Sequence, residues 1–236
     1  MGRPDPPARV PSAPAHPGGH RRADARGHRR QPPDRHVGPP AASSLILASA
    51  SPRRRELLRS LCADFRVIPS DIDETLVPGP LADVVARLAL AKARAVAARV
   101  GEGVVLGADT VVVIEGEALG KPADPADARA MLRRLRGREH EVITGLAVVD
   151  ARSGRSETHS VVSRVRMADY GEPEIERYVA TGEPLDKAGG YAIQGQGGAL
   201  VAGLDGSFSN VVGLPLEETA RLLAAFGVPI SAPPAR

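Results

Sequence analysis

Leu45-Ile46-Leu47-Ala48-Ser49-Ala50-Ser51-Pro52-Arg53-Arg54-Arg55-Glu56-Leu57-Leu58 is the stretch whose reading decides the fold. Its apolar start fits a short buried strand over 44–49. Ser51 is an N-cap type, and Pro52 carries the pre-set φ favoured at a first helical position. A helix over 52–61 is therefore expected, with Leu57, Leu58 and Leu61 on one face. Three arginines in its first turn oppose the helix macrodipole, which favours anions at that end. Two readings follow: an anion site with N–H groups and guanidinium forks aimed at phosphate, or a solvated basic turn.

Outward from this unit, strand and helix signals alternate. Residues 65–68 suggest a strand, and Asp71-Ile72-Asp73-Glu74 sits in a turn-rich connection ending at Pro78-Gly79-Pro80. An Ala-rich helix over 82–99 is closed by Gly101. Residues 104–106 and 111–114 bracket Gly107-Ala108-Asp109-Thr110 in one long strand or a strand pair, turning at Glu115-Gly116. Pro125 opens a helix with Ala128, Met131, Leu132 and Leu135 at core spacing. Residues 140–150 and 158–167 read as a hairpin through Ser153-Gly154, followed by a helix over 172–180. Seven glycines between 189 and 206 read as loops around short strands, and a last helix spans 215–226. The alternation predicts an α/β domain over 44–230 without internal repeats.

Charge divides the chain. Of 31 basic and 28 acidic residues, eight arginines and three aspartates fall in the first 40 positions, leaving 23 and 25 for the rest. The mildly acidic remainder gives no bulk-charge argument for nucleic-acid binding. Residues 1–43, rich in Pro, Arg and His, hold too few large apolar side chains to offset ordering entropy, so disorder or a misplaced start codon is expected. A nucleic-acid-binding arm and a transit peptide are the competing readings. The single cysteine, Cys62, excludes a disulfide within the chain and fits a reducing cytosol; it is expected on an apolar helix face. No apolar run approaches a membrane span.

Asp109 is the strongest chemical candidate, a lone acid in an apolar strand. Desolvating a carboxylate costs several kcal/mol, so it should have a partner, a cation or a proton-transfer role. Gly107 and Ala108 would leave room for a ligand; an edge-strand Asp facing solvent is the plain alternative. Asp71, Asp73 and Glu74 could complete a Mg²⁺ site or form an acidic surface turn. Lys121 fails the Walker pattern, because Glu115 and Pro122 stand where Gly and Ser or Thr are required. Lys92, in the Ala-rich helix, reads as part of a solvated face. Asp186, Lys187 and Gln194 are polar handles in a glycine-rich segment, and Gln194 suits a nucleobase edge. His140 and His159 read as structural. Together these features fit a metal-assisted phosphate enzyme.

Seven motifs stand in register with one family. They are Ser49-Ala50-Ser51-Pro52-Arg53-Arg54, Asp71-Ile72-Asp73-Glu74, Gly107-Ala108-Asp109-Thr110, Gly120-Lys121-Pro122, Thr144-Gly145, Asp186-Lys187-Ala188-Gly189-Gly190-Tyr191 and Asn210-Val211-Val212-Gly213-Leu214-Pro215. In this order they resemble Maf proteins, nucleoside triphosphate pyrophosphatases first described as septum-formation inhibitors, over about residues 44–227. The resemblance implies a two-lobed Maf/ITPase-like α/β fold with an elongated mixed sheet and a cleft. It also implies hydrolysis to the monophosphate and pyrophosphate with Mg²⁺ or Mn²⁺, and a homodimer. By position Asp109 matches the proton acceptor, Arg53, Thr110 and Gln194 the specificity positions, and Ser51, Arg54, Glu74, Lys92 and Lys121 the polar pocket. Asp109-Thr110 with Gln194 is similar to the dTTP/UTP branch rather than the 7-methyl-GTP branch. The expectation is a cytoplasmic enzyme with metal on Glu74 and Asp109 and no nucleic-acid or membrane partner; a non-catalytic regulator of division is the competing class.

Overall fold

An eleven-residue strand carries the architecture of the computed structural model, which describes residues 44–74 and 78–231. In chain order the elements are β1 (Leu45–Leu47), α1 (Pro52–Arg59), β2 (Arg66–Val67), α2 (Leu81–Val100), β3 (Val104–Ile114) and β4 (Glu117–Leu119). They continue with α3 (Pro125–Leu135), β5 (Glu139–Asp150), β6 (Ser156–Met167) and α4 (Glu172–Ala180). Short 3₁₀ turns at Glu183–Asp186, Ala188–Gly190 and Gly195–Leu200 lead to β7 (Val201–Asp205), α5 (Phe208–Val212) and α6 (Leu216–Ala225).

The mixed sheet has the order β2-β1-β3-β5-β6-β7, with β4 as a hairpin partner on β3. β1 runs parallel to both β2 and β3, and the other pairings are antiparallel. β5 accompanies β3 from Val104↔Asp150 to Val113↔Glu141, but β1 covers only Val104, Val105 and Leu106. β4 takes over at Val112. Between them the flank of β3 over 107–111 has no strand neighbour, and a crevice opens beyond the carboxyl end of β1, the usual ligand position in α/β sheets.

Alternation along the strands sorts the core. Leu45, Leu47, Leu106 and Leu146 pack towards Leu58 of α1 and Leu222 and Leu223 of α6. Ile46, Val105 and Ala147 face Ala89, Ala93 and Val96 of α2. The far halves of β3 and β5 supply Val112, Ile114 and Val142 to a separate cluster with α3 and α4, through Leu132, Leu135 and Ile175. The long strands thus join two packed regions flanking the crevice, as the α/β expectation required. A fully buried side chain such as Leu106 contributes about 1.5–3 kcal/mol.

The helix caps follow the sequence logic. Ser51 Oγ accepts from Arg54 N at 3.4 Å, and Gly101 closes α2 in the left-handed conformation. α4 spans the expected 172–180. Three expectations change. The 189–206 segment forms 3₁₀ turns and one strand rather than loops around several. α5 is an added helix, five residues between the N-cap Ser207 and Gly213. Cys62 lies just beyond α1, buried, with Sγ 3.6 Å from the Pro229 carbonyl oxygen.

At two points the α2 backbone meets the sheet backbone with no side chain between them. A Cβ on Gly107 would lie 2.3 Å from the Ala89 carbonyl oxygen, and one on Gly145 would lie 2.4 Å from the Val85 carbonyl. The space beside Gly107, expected to admit a ligand, is filled by the helix backbone. Among the described residues no helix is long and apolar enough to cross a membrane. The readings made for residues 1–43 lie outside the described residues.

Candidate active site

The crevice holds about 660 Å³, bounded by the start of α1, the segment before α2, β3, and the turns carrying Asp186 to Gln194. Ser51, Arg53, Arg54, Glu74, Lys92, Asp109, Thr110, Lys121, Asp186, Lys187 and Gln194 all line it. Residues spread over more than 140 positions of sequence are thereby brought to one place.

On one side of β3 stands a charged group. Lys92 is 4% exposed, and its Nζ lies 2.6 Å from Asp109 Oδ1 and 2.7 Å from Glu74 Oε1. The solvated-face reading of Lys92 is therefore corrected. The close approach of α2 at Gly107 and Gly145 carries this helix face onto the sheet. Asp109 is 8% exposed, which removes the solvent-facing alternative, and its partner within the chain is an ammonium. Burial alone would raise the Glu74 carboxyl; hydrogen bonding and charge from Lys92, with Lys121 and Arg54, outweigh it and hold the group below the usual carboxylate range. Among the described residues no three His, Cys, Asp or Glu side chains gather as a metal cluster.

The other side is a chain of hydrogen bonds that starts at the Arg54 guanidinium and runs on through neutral groups. Arg54 Nη2 donates to Thr110 Oγ1 at 3.0 Å, Thr110 and Thr144 share a hydroxyl contact of 2.9 Å, and Thr144 Oγ1 donates to the Asn210 carbonyl at 3.0 Å. Asn210 Nδ2 in turn donates to Val142 O at 3.0 Å and Ser163 Oγ at 2.9 Å. Arg54 also donates from Nε to Gly213 O at 2.8 Å and from Nη1 to Ser49 Oγ at 3.3 Å. Burial lowers its pKa, and the charges of Asp109 and Glu74 oppose that effect. Arg54 is thus a strut of the wall as well as part of its lining. Arg55, the third arginine of the turn, is half-buried, and its enclosed Nε has no hydrogen-bond partner among the described residues.

The glycine-rich turns form the opposite wall. Lys187 Nζ donates to Glu183 O at 3.1 Å and pairs with Asp186. Burial would raise the Asp186 carboxyl, but Lys187 and then Arg53 hold it low. Gln194 is exposed to the crevice. Tyr191 anchors the turn beneath it, with its hydroxyl 2.7 Å from Nε2 of buried His140. Burial depresses the His140 imidazole to about 4, so it is neutral near pH 7 and structural, as expected. Gly189 sits at φ +69, where a Cβ would meet Val112 at 2.9 Å. Thr144 and Asn210 stand in two of the matched motifs, with no role assigned to them by the sequence. Their signal was a hydroxyl and an amide inside otherwise apolar surroundings, each with a glycine one to three residues on.

A family model described as Maf-like protein matches residues 44–226. The dTTP/UTP pyrophosphatase of Moorella thermoacetica is 55% identical over 189 residues, covering 80% of this chain and 97% of that protein. The dTTP/UTP pyrophosphatase of Anaeromyxobacter sp. strain Fw109-5 is 57% identical over 194 residues, covering 80% and 92%. A solved nucleoside-triphosphatase / dITP/XTP pyrophosphatase from Mycobacterium abscessus overlays 78% of this chain and 98% of its own at 14% identity, with a TM-score of 0.41. The family match spans most of the chain and includes every residue that lines the crevice, so this protein belongs to the Maf family.

Proposed function

We propose that this protein hydrolyses dTTP, UTP or modified forms of these nucleotides to the monophosphate and pyrophosphate, a house-cleaning activity on the nucleotide pool. One observation carries the reading: a buried ammonium held between two carboxylates in a crevice whose other lining includes Arg53, Lys121 and Lys187. The choice of base leans on relatives named for dTTP and UTP at 50–57% identity. Those names do not favour a non-catalytic regulator.

In this reading Asp109 accepts the proton of the attacking water. Water oxygen bonds to the α-phosphorus, the bond from that phosphorus to the bridging oxygen breaks, and pyrophosphate leaves with the electron pair. Arg53, Lys121 and Lys187 neutralise charge on the leaving group. Lys92 offsets the desolvation of Asp109 and fixes its orientation. Ser51 caps the helix that presents Arg53, while Arg54 and Asp186 hold the two walls. Thr110 and Gln194 meet the base.

Carboxylates suit a hard cation, and Mg²⁺ or Mn²⁺ is commonly held by one or two of them together with phosphate oxygens. Glu74 and Asp109 fit that demand, since their contacts with Lys92 use Oε1 and Oδ1 and leave a second oxygen on each. When bound there, the ion would supply further charge neutralisation on the triphosphate. The activity is assigned to residues 44–230 of a cytoplasmic protein. Pyrophosphate release from dTTP, UTP, CTP and 7-methyl-GTP with Mg²⁺ or Mn²⁺ tests both reaction and branch. Release from dTTP and UTP is the expected result; none from any of the four overturns the reading.

A further inference from the structure

Two hydroxyls, Thr110 lining the crevice and Thr144 behind it, have their protons assigned by counting. Thr144 Oγ1 lies 3.0 Å from the Asn210 carbonyl oxygen, which can only accept, so the single proton of Thr144 goes there. Thr110 Oγ1, 2.9 Å away, must then give its own single proton to Thr144. Arg54 Nη2 can only donate, and it takes one lone pair of Thr110 at 3.0 Å. What remains for the crevice is one lone pair and no proton.

The surroundings lock this order. Thr144 and Asn210 are both 0% exposed. Thr144 pairs with Thr110 across β3 and β5 in register, and the Asn210 side chain is held by Val142 O and Ser163 Oγ. Gly213 N–H also donates to the Asn210 carbonyl at 2.9 Å, but reversing the chain of donors would leave the Thr144 and Asn210 oxygens facing each other at 3.0 Å with no proton between them.

We infer that Thr144 is a positioning residue for base selectivity: it turns Thr110 into an obligate acceptor facing the crevice. This rests on the pyrimidine nucleotide reading above. Uracil and thymine present N3–H between two carbonyls, whereas cytosine presents a bare N3 lone pair. An acceptor at Thr110 satisfies the first and leaves two lone pairs opposed in the second, a mismatch that hydrogen-bonding sites reject strongly. A donor for a flanking carbonyl is at hand in the Gln194 amide, which lines the same crevice.

Thr144→Val keeps the shape of the side chain but removes its hydroxyl, which frees the Thr110 proton to turn towards the crevice. The ratio of kcat/KM for UTP over CTP should fall about tenfold in this variant, while Thr144→Ser keeps the wild-type ratio. In a Thr110→Val background, Thr144→Val should leave the ratio unmoved, because the hydroxyl it acts through is gone. Calorimetric binding of UMP and CMP makes the same comparison without turnover, and Thr144→Ala serves if the valine variant does not fold. If both substrates weaken together and the ratio holds, Thr144 is only structural and the inference falls. If wild-type protein releases no pyrophosphate the functional reading fails, while the UMP-to-CMP comparison still decides the role of Thr144.

Discussion

Asp109 and Thr110 are neighbours on β3, yet the two sides of the strand are built on different physics. On the Asp109 side, Lys92 Nζ lies 2.6 Å from Asp109 and 2.7 Å from Glu74, a group of full charges carried in part by a helix seated on the sheet. Thr110 meets Arg54 and Thr144 in a relay of hydrogen bonds that ends on a backbone carbonyl. Under the proposed function this difference becomes a division of labour, with the ion-paired side acting on phosphate and the hydroxyl relay distinguishing bases. Neutralising a charge should damage turnover, whereas editing a hydroxyl should alter preference.

The largest break is Asp109→Asn. Loss of the proton acceptor should lower pyrophosphate release about 1,000-fold, the middle of the range for general base catalysis, while circular dichroism shows a cooperative melt. Retained turnover would remove Asp109 from its role. Next comes Lys92→Met, which leaves a buried carboxylate without its cation. A loss of about 3 kcal/mol is expected in urea unfolding, the lower end for a broken buried pair because Glu74 and Asp109 keep some solvent access. Adding Asp109→Asn to Lys92→Met should restore most of that stability, because the stranded charge disappears.

The opposite, glycine-rich wall has its own sensitivity, to pH. His140, under Tyr191, has a folded pKa of about 4 against an ordinary 6.5. The unfolded chain therefore binds more protons between these values, so this contribution is complete above about pH 6.5 and is lost as pH falls towards 4. Between pH 7 and pH 5 the loss is about 2 kcal/mol by linkage. Urea midpoints measured across that interval should drop in the wild type and drop less in His140→Gln.

Much of this fold was legible because its signals are local. Ser51-Pro52, Gly101 and the 172–180 periodicity each act within a few residues, and each lies where expected. Lys92 was not legible as a buried side chain. Its burial depends on two glycines more than ten positions away on separate strands, and an Ala-rich helix by itself reads as solvated. The same contact explains why Gly107, taken for ligand space, is occupied by α2. α5 escaped because five residues cannot display a helical period. Asp109 and Thr110 stood out, but their partners are set by the third dimension.

The smallest effect sharpens the contrast by showing what an ion pair contributes when water reaches it. Arg129 and Glu176 are 2.8 Å apart on the surface where α3 meets α4. Arg129→Ala should lower the urea midpoint only slightly at low salt and leave it unmoved at high salt, as a urea titration at two ionic strengths would register.

The two glycine contacts of α2 work like a pair of dowels. One contact would leave the helix free to pivot; two, at Ala89 on Gly107 and at Val85 on Gly145, fix its rotation and its travel along the sheet together. Backbone touching backbone has no rotamers in which to absorb error, so the setting is rigid. A methyl group added at either glycine would lift the helix, and one displacement would lengthen both bonds of the Lys92 ammonium at once. The tolerance of the charged centre is therefore set by the side chains missing from two residues, one of them the cross-strand partner of Asp109.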